Sequence, residues 1–235
     1  MILRKLAEAI REQNWFTVVL EVMIVVVGIF IGLQVDDWNE DRKERAEEQI
    51  ILENLRIEID NNIESYRATS EALEAEQALY VSYYDYLTGA RDGRPDKEDL
   101  LGVLCRVGLG QEAQYDNTVY EELIQTGRTT IIRDEEVRAA LSQYKRVQDR
   151  REAAFEDVVP IAKDQFTAIQ QFLDWRPFTP DDRYGNCGFD FAAFEADERA
   201  AHHIGGAQRI AYFYKVGTDS VLGQLLTLRT AATGH

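Results

Sequence analysis

The run FTVVLEVMIVVVGIFIGLQV at residues 16–35 constrains this chain more than any other feature. Its only charge is Glu21. At about 1.5 Å of rise per residue, a helix of this length covers the roughly 30 Å hydrocarbon core of a bilayer. Backbone polar groups in lipid must be bonded within their own segment, so a single span has to be helical. Trp15 and Phe16 stand at one end and Trp38 just past the other, where interfacial aromatics sit. A cleaved secretory signal is the competing reading. It needs a small-x-small cleavage site, and the chain continues VDDWNEDRKE instead. The expected layout is one membrane helix over residues 15–38.

The flanks and interior of that helix carry further information. MILRKLAEAIREQN at residues 1–14 puts Ile2, Leu3, Leu6, Ala9 and Ile10 on one face, and Arg4, Lys5, Glu8, Arg11 and Glu12 mainly on the other. This is either an amphipathic segment at the membrane surface or the first turns of the membrane helix. Arg4, Lys5 and Arg11 face Arg42, Lys43 and Arg45 across the span. The basic bias is small, and a short tail kept inside with the large domain translocated is the simpler orientation. Glu21 either reaches the headgroups or has a partner within the membrane, on a second helix or along an ion path. Gly28 and Gly32, four apart, make a flat strip where another helix can approach closely.

The domain that follows is acidic. Formal net charge is −16, and residues 1–35 hold three bases and three acids, leaving 23 Lys and Arg against 39 Asp and Glu beyond them. A nucleic-acid partner needs a basic face, so none is expected. Residues 36–88 contain no Gly or Pro, which extends the membrane helix into a stalk over 39–88. Leu52, Ile59, Tyr66, Leu73, Tyr80 and Leu87 recur at intervals of seven, with Leu55 and Tyr83 at the companion position. Asn62, Thr69 and Glu76 break that second seam. One kept seam and one broken seam favour packing on helices of the same chain over a free two-stranded coiled coil.

Residues 89–235 are expected to form a helical bundle packed with the stalk. GARDGRPD at 89–96 is a turn-rich loop, and Asp96 can cap a short helix to about Val107, ended by Gly108 and Gly110. Thr118 and Glu121 have the spacing of a capping box. Gly127 stops that helix where a positive φ is needed. Arg128–Ile132 reads as a short extended piece, and Asp134, Glu135 and Glu136 begin a helix to about Trp175, kinked or split at Pro160. RPFTPDDRYGNCG at 176–188 is a loop, a short helix covers about Phe191–Arg199, and a long one spans about Ala207–Ala232. No convincing strand pair is visible. The fold class is all-α: one membrane helix, a stalk, and helix layers around one core.

Chemistry-bearing patterns are sparse. No nucleophile elbow, zinc-protease, phosphate-loop or dinucleotide motif occurs, so no catalytic residue, cofactor or metal site is assigned. His202 and His203 are adjacent and point apart on a helix. Arg128, Arg133 and Tyr120 are a weak candidate for an anion cleft. Tyr80, Tyr83, Tyr84 and Tyr86 read as packing more than as a ligand cage. Cys105 and Cys187 are either two buried small hydrophobes or a disulfide closing a long loop in an oxidising compartment.

Two stretches, LEVMIVVVGIFIGLQVDDWNEDRKER at 20–45 and YEELIQTGRTTIIRDEEVRAALSQY at 120–144, resemble an uncharacterised family of bacterial single-pass membrane proteins. Glu21, Gly28, Gly32, Gln34, Trp38, Asn39 and Glu40 match its intramembrane Glu, its Gly-x-x-x-small turn and its Gln-x-x-x-Trp-Asn-Glu exit. Leu123, Gly127, Ile132, Arg138 and Tyr144 match a later pattern, from which Val137 and Lys145 depart. The resemblance implies a bacterial inner-membrane protein with a cytoplasmic N-terminus and a periplasmic main domain, and no activity. The expected role is a non-enzymatic interaction or scaffold subunit, partnered with the bilayer and, through its membrane helix, with itself or another membrane protein. The alternative is a transport or sensing component using Glu21, similar in layout to single-span stator subunits.

Overall fold

The computed structural model describes residues 15–107, 112–175 and 187–233. The expectations for residues 1–14, for Gly108 and Gly110, and for most of the 176–188 loop lie outside these. The fold is all-α, with helices α1 (Trp15–Leu87), α2 (Lys97–Leu104), α3 (Thr118–Gln125), α4 (Glu135–Gln170), α5 (Phe191–Glu195) and α6 (Ala200–Thr233). The chain divides into two compact units, Met1–Ile51 and Leu52–His235. In the first, α1 presents an apolar window of mean hydropathy 2.2, none of it buried inside the protein. One helix is thus long and apolar enough to cross a membrane.

In the second unit, residues 52–87 of the expected stalk are core. Ile59, Tyr66, Leu73 and Tyr80 of the seven-residue seam, with Leu55 and Tyr83, are at most 2 % exposed. Antiparallel packing of α6 on α1 explains this. Arg56 Nε donates to the Ala232 carbonyl, Asp60 pairs with Arg229, Ser70 donates to Asp219, Glu74 faces Lys215, and Tyr84 lies against Gly205. As the α1 numbers rise from 56 to 84, their partners fall from 232 to 205, a continuous antiparallel register. Helix α6 also runs antiparallel to α4: Arg151 lies against Gly217, Phe155 against Tyr214 at 4.9 Å, and Gln165 against Gly206. It follows that α1 and α4 are parallel. Parallel neighbours need a long return connection, and residues 88–134 supply it with α2, α3 and a tight turn.

Several local expectations are corrected. Arg128–Ile131 is a 3-10 turn rather than an extended piece, entered through Gly127 at φ 68°. Helix α4 runs through Pro160 as one element, with the proline and Glu156 on its exposed side, where water can take the carbonyl left unbonded. It stops at Gln170 because Leu173–Trp175 pairs antiparallel with Cys187–Phe189, a two-stranded sheet (β1 and β2) that was not expected. Helix α6 starts at Ala200, seven residues early. Asp96 and Asp134 do cap α2 and α4, each accepting two backbone N–H groups.

Cys105 and Cys187 are joined, with Cα atoms 6.0 Å apart and a sequence separation of 82. The bridge ties the end of α2 to β2 beside the larger core cluster, which includes Tyr80, Tyr83, Leu100, Leu104, Phe189, Phe191, Phe194 and Ile204. Arg94 and the hydroxyls of Tyr83 and Tyr86 converge on Glu195 at the edge of this cluster.

Candidate functional site

The α3–α4 corner shows how the later sequence motif is used. Leu123, Ile132 and Tyr144 are buried at 3 %, 0 % and 2 % exposure. Gly127 supplies the left-handed residue after α3. Arg138 Nη1 donates to the carbonyls of Ile132 at 2.6 Å and Arg133 at 2.8 Å, fastening the turn to the first coil of α4. Five residues read from the sequence thus build one corner, and they do so by packing and backbone bonding.

The capping box expected at Thr118 and Glu121 is not formed. Asn117 is the N-cap residue and its side chain makes no cap bond. The Thr118 hydroxyl and N–H both donate to Asp116 Oδ1, which holds the Asp116 carboxyl below its ordinary value. The capping carboxylate comes from Glu58 on α1, which accepts the N–H of Val119 at 2.6 Å and of Tyr120 at 3.2 Å. Beside it, Asn62 donates to the Asp116 carbonyl and accepts the Asp116 N–H. The residue that breaks the heptad seam is therefore a two-way clamp on the backbone entering α3. Tyr144 donates to Asn117 Oδ1 at 2.9 Å, and Gln148 Nε2 donates to the Tyr144 hydroxyl at 2.7 Å.

Glu58 is 7 % exposed. Burial raises its pKa, opposed by the two backbone N–H groups. The folded protein therefore holds this proton more tightly than the unfolded chain. Stability from this group is present below the ordinary value of 4.5 and is lost as pH rises through the raised folded value. Replacing Glu58 by Ala leaves two N–H groups unpaired in a buried place and is expected to cost about 1–3 kcal/mol in chemical denaturation. Glu58→Gln keeps one acceptor, so its expected loss is smaller, and it removes this part of the pH dependence. Equal losses for the two variants at neutral pH would show that the side-chain oxygen is not the capping group.

The other candidate residues lie on the apolar stretch of α1 and just beyond it. Glu21, Gly28, Gly32, Gln34, Trp38, Asn39 and Glu40 are all exposed within the chain. A Cβ added at Gly28 or Gly32 would meet nothing within 4 Å. At about 100° per residue, Glu21, Gly28, Gly32 and Asn39 fall within about 40° of one another, with Val25 and Val35 flanking them. Gln34 and Trp38 point away from that strip. The Glu21 carboxylate and the two glycines thus share one face, an alignment present in the residue numbers but visible only when they are placed on one helix.

No protein-family model, curated protein or solved structure matches this chain. Function has to be argued from the residues themselves. Among the described residues, no group of three or more His, Cys, Asp or Glu is placed to hold a metal ion. Tyr120 does border a cleft, but Arg128 and Arg133 do not line it, contrary to the anion-cleft expectation. The corner network links backbone to side chain and presents no paired nucleophile and base.

Proposed function

We propose that this chain is a non-enzymatic, membrane-anchored interaction subunit. Its membrane helix docks on another helix, from a second copy or a different membrane protein, along the face bearing Glu21, Gly28 and Gly32. One observation carries the reading: these three residues line up on one exposed face of α1, where a Cβ at either glycine would meet none of the described residues within 4 Å. A carboxylate in hydrocarbon is costly, by about 2.5–3.5 kcal/mol for a centrally placed acid on insertion scales, and a partner relieves that cost. Two glycines one turn apart remove the side chains that would keep a second backbone away.

The domain after Leu52 lies in an oxidising compartment in this reading, the periplasm of a bacterial inner membrane, with the N-terminus cytoplasmic. The Cys105–Cys187 bridge supports it, because structural disulfides persist outside the reducing cytosol. The helical domain is then a body that braces or binds a partner outside the bilayer.

The test is association in native membranes. Gly28→Leu combined with Gly32→Leu is expected to abolish the oligomer or partner complex seen for the unmodified protein on native gels, while membrane insertion is kept. An unmodified protein that extracts only as a monomer with nothing bound contradicts the proposal. A second reading, transport or sensing through Glu21, draws on the absence of any Lys or Arg in residues 16–35 to neutralise it. Glu21→Gln separates the two, since an amide still bonds across a helix pair but cannot titrate. Intact assembly with a lost cellular phenotype favours the second reading, and intact assembly with an unchanged phenotype favours the first.

A further inference from the structure

Along α6 runs a groove of about 720 Å³, walled by α1 and α4 and within the size range of small-molecule sites. Its α6 lining extends from Ala201 to Phe213, about 18 Å at 1.5 Å of rise per residue. Val81, Val158, Ile161, Ile210 and Phe213 make its aliphatic and aromatic surface. Three of these stay in water although large and apolar: Val81 is 46 % exposed, Ile161 57 % and Phe213 39 %. Covering them with an apolar ligand is favourable in proportion to the area removed from water.

The charge of the lining says which ligand. The chain carries −16 overall, yet no Asp or Glu lines this groove. Arg209 does, and with His202 neutral the lining has a formal charge of +1. Arg209 is exposed and makes no ion pair or hydrogen bond among the described residues. Gln165 against Gly206 and Phe155 against Tyr214 put Ile161 about level with Arg209 on the α4 side. Tyr84 against Gly205 and Glu74 facing Lys215 put Val81 about level with it on the α1 side. A guanidinium between apolar walls is screened by less water than one on an open surface, so it holds an anion more strongly. One cation in a long apolar groove matches a molecule with one anionic end and one long apolar part.

We propose that this groove binds a long-chain monocarboxylate, with its alkyl chain laid along α6 against Val81, Ile161 and Phe213 and its carboxylate on the Arg209 guanidinium. The site lies in the helical unit from Leu52 onward, goes beyond the membrane-helix reading and does not rest on it.

The experiment is photoaffinity labelling of the full chain in nanodiscs of neutral lipid, with a palmitic acid analogue bearing a mid-chain diazirine and the adducts mapped by mass spectrometry. Saturable labelling is expected on the α4 and α6 peptides that line the groove, competed by palmitate and much less by hexadecanol. Arg209→Gln removes the charge-assisted bond to the carboxylate and is expected to raise the half-saturating concentration at least about tenfold. Ile161→Glu is expected to do the same, and Arg146→Gln, outside the groove, to change nothing. Arg209 and Ile161 are both exposed, so the unfolding midpoint without probe is expected to stay level in their variants. The proposal is overturned if labelling spreads along the chain without saturating, if Arg209→Gln labels as the unmodified protein does, or if hexadecanol competes as well as palmitate. It is also overturned if a photoreactive side chain at position 161 gives adducts between two copies of the chain, which would make the groove an interface.

Discussion

Replacing Cys105 and Cys187 together by Ala is expected to lower the thermal midpoint of the helical unit from Leu52 onward by about 8–16 °C. The bridge closes a loop spanning 82 residues, and a loop of that length restricts the unfolded chain by about 4 kcal/mol in the loop-entropy account. For a domain of this size, each kcal/mol moves the midpoint by about 2–4 °C. Both cysteines are buried, at 3 % and 7 % exposure, so Ala is the replacement that leaves no new polar group inside. Reduction of the unmodified protein under native conditions is expected to be slow for the same reason. Scanning calorimetry of the double variant checks the first expectation, and a midpoint unchanged within a degree or two would mean that the bridge does not constrain folding.

Phe194→Ala is expected to cost about 3–5 kcal/mol, as large aromatic truncations in packed cores do. Phe194 is fully buried, and its ring meets those of Phe172 at 5.0 Å, Phe189 at 5.1 Å and Tyr83 at 6.1 Å. These rings come from α1, the end of α4, β2 and α5, so the cavity would open where four segments meet. Phe194→Leu refills much of the volume and is expected to cost less than half as much. Because Phe189 sits two residues from Cys187, the Phe194 and disulfide losses are expected to be non-additive when combined. Chemical denaturation of the three variants measures this, and a Phe194→Ala loss below 1 kcal/mol would contradict the packing described.

These effects show which parts of the fold were legible in the residue order. The seam of Ile59, Tyr66, Leu73 and Tyr80 was legible because helical periodicity is local, and those residues are the core. Gly127, Asp96 and Asp134 were legible for the same reason, since each acts on backbone within three or four residues of itself. Glu58 and Asn62 were not. A charged or amide side chain on a long helix reads as solvated, and here their partners are backbone groups of Asp116, Val119 and Tyr120, more than 50 residues later. The capping box is absent because its two N–H groups have other acceptors: that of Glu121 bonds to the Asn117 carbonyl and that of Thr118 to Asp116 Oδ1. Strands β1 and β2 are three residues each, too short for an alternating pattern to show. Helix α6 begins seven residues before the expected Ala207 and runs through Gly205 and Gly206, residues of low helix propensity. The end of the Gln165 side chain on α4 lies over Gly206, where a Cβ would have to displace it.

In the apolar stretch of α1, both features of interest were readable from the sequence, but their relation was not. Glu21, Gly28 and Gly32 became one face only when their angular positions on α1 were compared. That face is the centre of the functional account, and site-specific photocrosslinking in native membranes tests it most directly. With the photoreactive side chain placed singly at positions 23 to 32, the account predicts protein adducts at 25, 28 and 32, and little or none at 23, 26 and 30. Adducts spread evenly around the helix, or concentrated at 23, 26 and 30, would contradict it.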